Sequence, residues 1–420
     1  MKAILLNKIS VSWLEWALLL YALVFFTLPG GINILPGLLF LLGLGLASSG
    51  SWSLCVDERR LFFAFTLYFI AAWLGWGFHQ EPLNILDEPL KFLMISVVLF
   101  VIVRSHVRIA FFWAFVVLAL LFSAIDAIWI GDYAWDGSRL AGTVITHPLY
   151  FGNLSLLFAF LALAGWIWTE ELPSVRMKRL WRLGLILAFG LGVMLSLLSG
   201  TRGGWIAIPL AFYFVFYHLV GSAPYRKIWR ILAISILVLG FVTLMSFENS
   251  VQQRLVLAWH DLVGYFDAGE VSSSLGARLE MWRLGVELGS ESPFWGLGQN
   301  GYVAGLQALI DTGQAHPDLR QFAQLHNQYL QEWVFRGVFG LGALLWLFFT
   351  LLKFYMARLT SPCAATRALA VAGAVSCFLY LDFFLSISMW HLNATTLSFL
   401  IVIAFTAGFI LARENAVLTS

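Results

Sequence analysis

Charge is scarce in this 420-residue chain: Asp, Glu, Lys and Arg together make up 11%, while 60% of residues are hydrophobic. A soluble domain carries about 25% charged residues, so a water-soluble globule is excluded. Cysteine is nearly absent, with three in all. Cys55 and Cys363 fall in loops and Cys377 in an apolar run, which implies no disulfide framework. Cys and His show no metal-ligand spacing, and no metal or cofactor is expected. There is no repeat of about 20 to 50 residues and no low-complexity tract. A cleaved leader is not indicated either. Lys2 and Lys8 precede an apolar run, but the following Thr27-Leu28-Pro29-Gly30-Gly31 is not a small-x-small cleavage site, so the run reads as a first span.

What the chain has in abundance is long apolar runs. A hydrocarbon core about 30 Å thick takes about 20 helical residues to cross. Twelve runs qualify, near residues 13–28, 32–48, 60–78, 89–104, 109–130, 148–169, 183–199, 203–219, 229–247, 337–354, 366–386 and 392–411. The expected fold is therefore all-α, a polytopic integral membrane protein of about twelve transmembrane helices. Net charge is only +2, so orientation rests on where the positive residues lie. With both termini on one face, 17 of the 25 Lys and Arg share that face, among them Lys8, Arg59, Arg104, Arg176, Arg226, Arg358 and Arg413. The excess of positive charge marks it as cytoplasmic. The chain then divides into spans one to nine (1–247), a polar helical segment on the opposite, non-cytoplasmic side (248–337) and spans ten to twelve (338–420).

The segment over 248–337 is far longer than a connection requires. Residues 251–266 space their apolar side chains helically, as in a helix lying on the membrane surface. Ser272-Ser273-Ser274 offers an N-cap for a helix over 275–289. Pro293 and glycines 296, 298 and 301 suggest a turn region, and a polar stretch covers 311–324. A further helix starts around 325–330 and runs into the tenth span. A second outer loop, near 131–147, is Gly-rich, polar and aromatic.

Charged groups at a membrane boundary are functional candidates by default. Arg202 sits in Ser199-Gly200-Thr201-Arg202-Gly203-Gly204-Trp205, a tight turn whose glycines and following helix N-terminus suit an anion; a simple turn with a snorkelling Arg is the alternative. Arg278 lies in the first turn of the capped helix with Trp282 one turn on, either a second anion contact or a solvated surface Arg. Arg283, Glu280, Glu287 and Glu291 read as surface charges or local pairs. His326, beside Asn327 and Tyr329, could take a proton from a hydroxyl at neutral pH. His79, His147, His260, His316 and His391 lie near the same face, so position alone does not single it out. Asp126 and Asp382 are the main acids within spans, both toward the outer ends.

Three strings in the second half resemble the O-antigen ligase and polymerase superfamily: residues 199–205, Gly-Ala-Arg-Leu-Glu-Met-Trp-Arg at 276–283 leading to Pro-Phe-Trp-Gly-Leu-Gly at 293–298, and His-Asn-Gln-Tyr-Leu at 326–330 with Gly337 and Gly340. Arg139-Leu140-Ala141-Gly142-Thr143 resembles a further family loop, which often has Pro-Asn where this chain has His147-Pro148. The resemblance implies metal-free, inverting glycosyl transfer from undecaprenyl-pyrophosphate-linked O-antigen to a hydroxyl of the lipid A core oligosaccharide, at the periplasmic side of the bacterial inner membrane. In that reaction His326 is the general base, Arg202 and Arg278 hold the pyrophosphate, and Arg139 is a further substrate-binding candidate. Asp382 orients His326 or meets a sugar, unless it makes only a helix–helix hydrogen bond. Membrane lipids are the other expected partners; nucleic acid is not. An O-antigen polymerase is the nearest alternative and a protein O-oligosaccharyltransferase the next. A flippase or transporter is the alternative from another class, although no inverted repeat and few midplane charges are present.

Overall fold

The computed structural model describes residues 11–48, 54–105, 107–135, 138–201, 203–205, 207–220, 259–267, 269 and 271–419. Among these residues there are helices and no strands. In lipid a backbone polar group has no water to bond, and a helix satisfies its own. The chain folds as α1 (Val11–Thr27), α2 (Ile34–Ser48), α3 (Val56–His79), α4 (Asp87–Val103), α5 (Ile109–Ala124, continued by a π turn over Ile125–Ile130), α6 (Pro148–Trp168), α7 (Val175–Leu198) and α8 (Ala207–Leu219). Then come α9 (Ser274–Gly289), α10 (Gly298–Asp311), α11 (Gln328–Met356), α12 (Ala364–Phe383) and α13 (Asn393–Thr419).

Seven of these helices are long and apolar enough to cross a membrane, and three shorter apolar ones accompany them. The chain is an all-α, multi-pass membrane protein. Eleven of the twelve apolar runs coincide with a helix; the run 229–247 lies outside the described residues. α6, α12 and α13 form the buried centre. α7 lies outside them and exposes Leu180, Leu183, Leu187 and Met194 at helical spacing, a stripe that lipid rather than water would cover.

Because successive spans alternate in direction, the charged ends of several helices meet at one end of the bundle. Arg358, at the end of α11, bridges Asp57 of α3 at 2.7 Å and Glu414 of α13 at 2.8 Å. Arg104 pairs with Glu58 and Arg108 with Glu15, both at 2.7 Å. Lipid gives helices no hydrophobic reason to associate, so such polar ties and close packing must hold them.

The opposite end carries a second, smaller core. Met281, Leu284 and Leu288 of α9 pack with Tyr302, Leu306 and Ile310 of α10, with Leu319 and Leu325, and with Val334 of α11. Helix α9 matches the expected helix, and Ser273 is its cap, accepting from the Gly276 N–H at 3.0 Å. Helix α10 occupies what the sequence suggested was a turn region. Its three glycines obscure a stripe of Tyr302, Leu306 and Ile310 that becomes visible only when α9 covers it. α7 begins at Val175 rather than near 183, because its basic first turns are themselves helical; the Arg182 Nε donates to the Thr169 hydroxyl at 2.8 Å. α11 continues through the expected border near 337, with one non-helical residue there, Gly337.

Candidate active site

The glycine-rich turn after α7 is packed from several sides. Thr201 Oγ1 donates to the Pro148 carbonyl at 3.1 Å and lies 2.6 Å from Ser199 Oγ. A Cβ on Gly203 would stand 2.3 Å from Ser386 Oγ, and one on Gly204 would stand 2.5 Å from Asn153 Oδ1. The glycines thus let the turn sit between α6 and the chain after α12. Arg202 itself lies outside the described residues.

The loop before α6 is fastened onto this turn. Arg139 donates from Nε to the Ser199 carbonyl at 2.8 Å and from Nη2 to the Gly200 carbonyl at 3.3 Å, and the Leu140 N–H reaches the Leu198 carbonyl at 3.1 Å. Buried Asp126 accepts from the Thr143 N–H at 2.8 Å and from its hydroxyl, which fixes the rest of the loop. The loop ends at His147, whose Nδ1 caps α6 by accepting from the Leu149 N–H at 3.3 Å.

His326 approaches from the other side, just ahead of α11. Its φ is +49°, a left-handed conformation uncommon outside glycine and one that the surroundings must enforce. They do so on both flanks. The Trp282 indole N–H donates to the Leu325 carbonyl at 3.0 Å, the Leu325 N–H donates to Gln331 Oε1 at 3.3 Å, and Asn327 caps α11 through the Leu330 N–H at 3.0 Å. Trp282 is therefore a brace that ties α9 to His326. The imidazole is 8% exposed and its Nδ1 has no hydrogen-bond partner.

Electrostatics bring the groups together. Burial pushes the His326 pKa down to about 4, helped by the charges of Arg278, His147 and His391. Arg278 is lowered by burial and then by Arg139, and His147 by partial desolvation and then by Arg139 and Arg278. No carboxylate among the described residues forms an ion pair with Arg278, so an anion arriving there would meet positive charge that the protein has not compensated. Of the sequence candidates, Arg278 lies within electrostatic reach of both His326 and Arg139.

Asp382 stands apart. It is buried at the end of α12 near the Ala207 N–H, with Oδ2 unpartnered. No hydrogen bond joins Asp382 to the His326 imidazole among the described residues; the α12 terminus brings the carboxylate to the backbone at the start of α8. Gln331 had no distinguishing sequence signal as part of this site; His147 and Trp282 lie in strings that the sequence singled out, but only the tertiary contacts show what they do there.

The depressed pKa gives a pH signature. The folded value lies below the ordinary 6.5. The buried neutral imidazole is therefore no burden above about pH 6.5, and stability is lost as pH falls from there toward 4, where the unfolded chain binds the extra proton. Adding inorganic pyrophosphate should raise the His326 pKa measured by NMR, by offsetting Arg278. An unchanged value would place the anion elsewhere.

Residues 183–345 match the model of the O-antigen ligase family. Over 379 residues the chain is 24% identical to a Haemophilus influenzae protein named only as uncharacterized, covering 89% of this chain and 92% of that one. Over 162 residues it is 26% identical to the O-antigen ligase of Escherichia coli K12, covering 38% of each chain.

Proposed function

We propose that this chain, whose residues 183–345 carry an O-antigen ligase family domain, transfers an O-antigen glycan from undecaprenyl pyrophosphate to a hydroxyl of the lipid A core oligosaccharide. The site faces the periplasm from the bacterial inner membrane, with both termini in the cytoplasm. The observation that carries this reading is a buried, neutral histidine with an unpartnered ring nitrogen facing the charge of Arg278, which in turn faces Arg139.

The polyprenyl tail stays in the bilayer while its pyrophosphate reaches the arginines. His326 takes the proton of the acceptor hydroxyl as that oxygen attacks the anomeric carbon. The bond from that carbon to the pyrophosphate oxygen breaks, its electron pair leaves with undecaprenyl pyrophosphate, and attack from the opposite face inverts the centre. Arg278 and Arg139, with Arg202 as a third cation, meet the charge that develops on the leaving group. An imidazole with a pKa near 4 is a weak base, but the arriving anion offsets Arg278 and strengthens it when the hydroxyl must be deprotonated. Asp382 is a candidate sugar contact on the far side of the turn.

The test is transfer of lipid-linked O-antigen to lipid A core by the purified protein with EDTA present. Product is expected from the unmodified protein. Arg278→Ala should lower the rate about 10²-fold or more, and Arg278→Lys should restore only part of it, because an ammonium cannot bind bidentately. Donor chains that lengthen without joining core would replace this reading with a polymerase. Glycan that crosses a bilayer with no bond broken would replace it with a flippase.

A further inference from the structure

A recess of roughly 230 Å³ opens at the same end of the bundle, between the end of α3, the start of α4 and the first turns of α10 and α11. Its polar lining differs from that of the arginine site. Glu81 and Asn84 line it from the connection between α3 and α4, Glu88 from the first turn of α4 and Gln299 from α10, and Trp76 and Trp390 form part of its wall. Arg336 also lines it, but this guanidinium is neutralised by Glu88 at 3.0 Å and Glu332 at 2.9 Å and accompanied by the Tyr68 hydroxyl at 2.6 Å. A pyrophosphate would therefore meet carboxylates here rather than free positive charge.

The recess also holds donors in need of an acceptor. Trp390 is 3% exposed and its indole N–H has no partner, and the Trp76 indole N–H is likewise buried and unpaired. A buried N–H without an acceptor is rare enough to require an explanation. Carboxylate and amide oxygens that accept from hydroxyls, indole N–H groups that donate to hydroxyl oxygens, and aromatic walls for the apolar face of a pyranose together describe a sugar-binding pocket. Glu81 is held for that role, since its Oε1 already accepts the Asn300 N–H at 3.0 Å.

The recess reaches His326 by two routes. Gln331, in its wall, accepts from the N–H of Leu325, the residue before His326, and from Ser388 Oγ at 2.7 Å. His391 lines the recess and its charge acts on His326. Arg139 and Arg278 do not line it. The geometry points to this recess as the seat of the acceptor's terminal sugar, separate from the arginines that meet the pyrophosphate. The assignment to the acceptor rests on the transferase reading above.

The test titrates delipidated, dephosphorylated core oligosaccharide into the full-length protein in nanodiscs by calorimetry, with undecaprenyl pyrophosphate binding measured beside it. Trp390→Phe, which removes the N–H but keeps an aromatic ring there, and the rim double variant Asn84→Ala with Gln299→Ala should each weaken oligosaccharide binding about tenfold and leave lipid pyrophosphate binding unchanged. Variants that bind the oligosaccharide as the unmodified protein does would overturn the assignment, as would a rim variant that loses both ligands. Transfer by the unmodified protein together with unaltered sugar binding in the variants would remove the recess alone. Variant-sensitive sugar binding without any transfer would keep the recess as a saccharide site and remove the ligase reading.

Discussion

Replacing His326 with alanine is expected to lower glycan transfer about 10²- to 10⁴-fold, the range that a positioned general base contributes. Binding of undecaprenyl pyrophosphate should survive, because its cationic contacts come from other elements. His326 is also braced by its neighbours, and loss of that packing could mimic loss of a base. Two readouts separate the roles. Added imidazole should restore part of the rate if the ring acts as a base, and the pH–rate profile should lose its acidic limb. A variant that transfers within a few-fold of the unmodified protein would end the catalytic assignment.

Gly337→Ala should abolish the folded protein or lower its stability by more than about 3 kcal/mol, a large part of the total that holds a typical protein together. At φ +66° and ψ −163°, Gly337 occupies a region essentially closed to other residues. A Cβ there would stand 2.0 Å from the Phe294 carbonyl oxygen. The kink lets the turn 293–297 dock on α11, with the Val338 N–H on the Pro293 carbonyl at 2.9 Å and the Leu297 N–H on the Val334 carbonyl at 2.8 Å. Gly296 faces the same junction, where a Cβ would lie 2.5 Å from the Arg336 nitrogen. The motif string 293–298 and Gly337 are thus two halves of one joint, which also places Arg336. Gly342→Ala is the control, since no atom lies within 4 Å of its added Cβ. Thermal denaturation in detergent should show it unchanged or slightly stabilised, as alanine favours a helix interior by about 0.5–1 kcal/mol. Equal losses at the two positions would rule out the joint.

The spans were legible because a run of apolar residues in lipid has one satisfactory backbone, the helix, whatever its neighbours are. Eleven runs therefore appear as helices near their expected places. The cap of α9 was legible for a similar reason, since Ser273 acts within a few residues of itself. Helix α10 was not, because its apolar stripe is broken by glycines and is stabilised by α9 and α11 rather than by its own pattern.

The candidate site divides in the same way. Sequence alone determined that this is a membrane-embedded helical protein, and motif residues named Arg139, Arg278 and His326 before their contacts were known. Only the tertiary structure decided that Arg278 lies within electrostatic reach of both Arg139 and His326, that Asp382 does not hydrogen-bond the imidazole, that Trp282 braces His326, and that Trp76 and Trp390 wall a separate recess. The physical reason is range. Helix formation and capping depend on neighbours a few residues away, whereas a histidine pKa near 4 and two indole N–H groups without acceptors depend on burial by segments far apart in the chain.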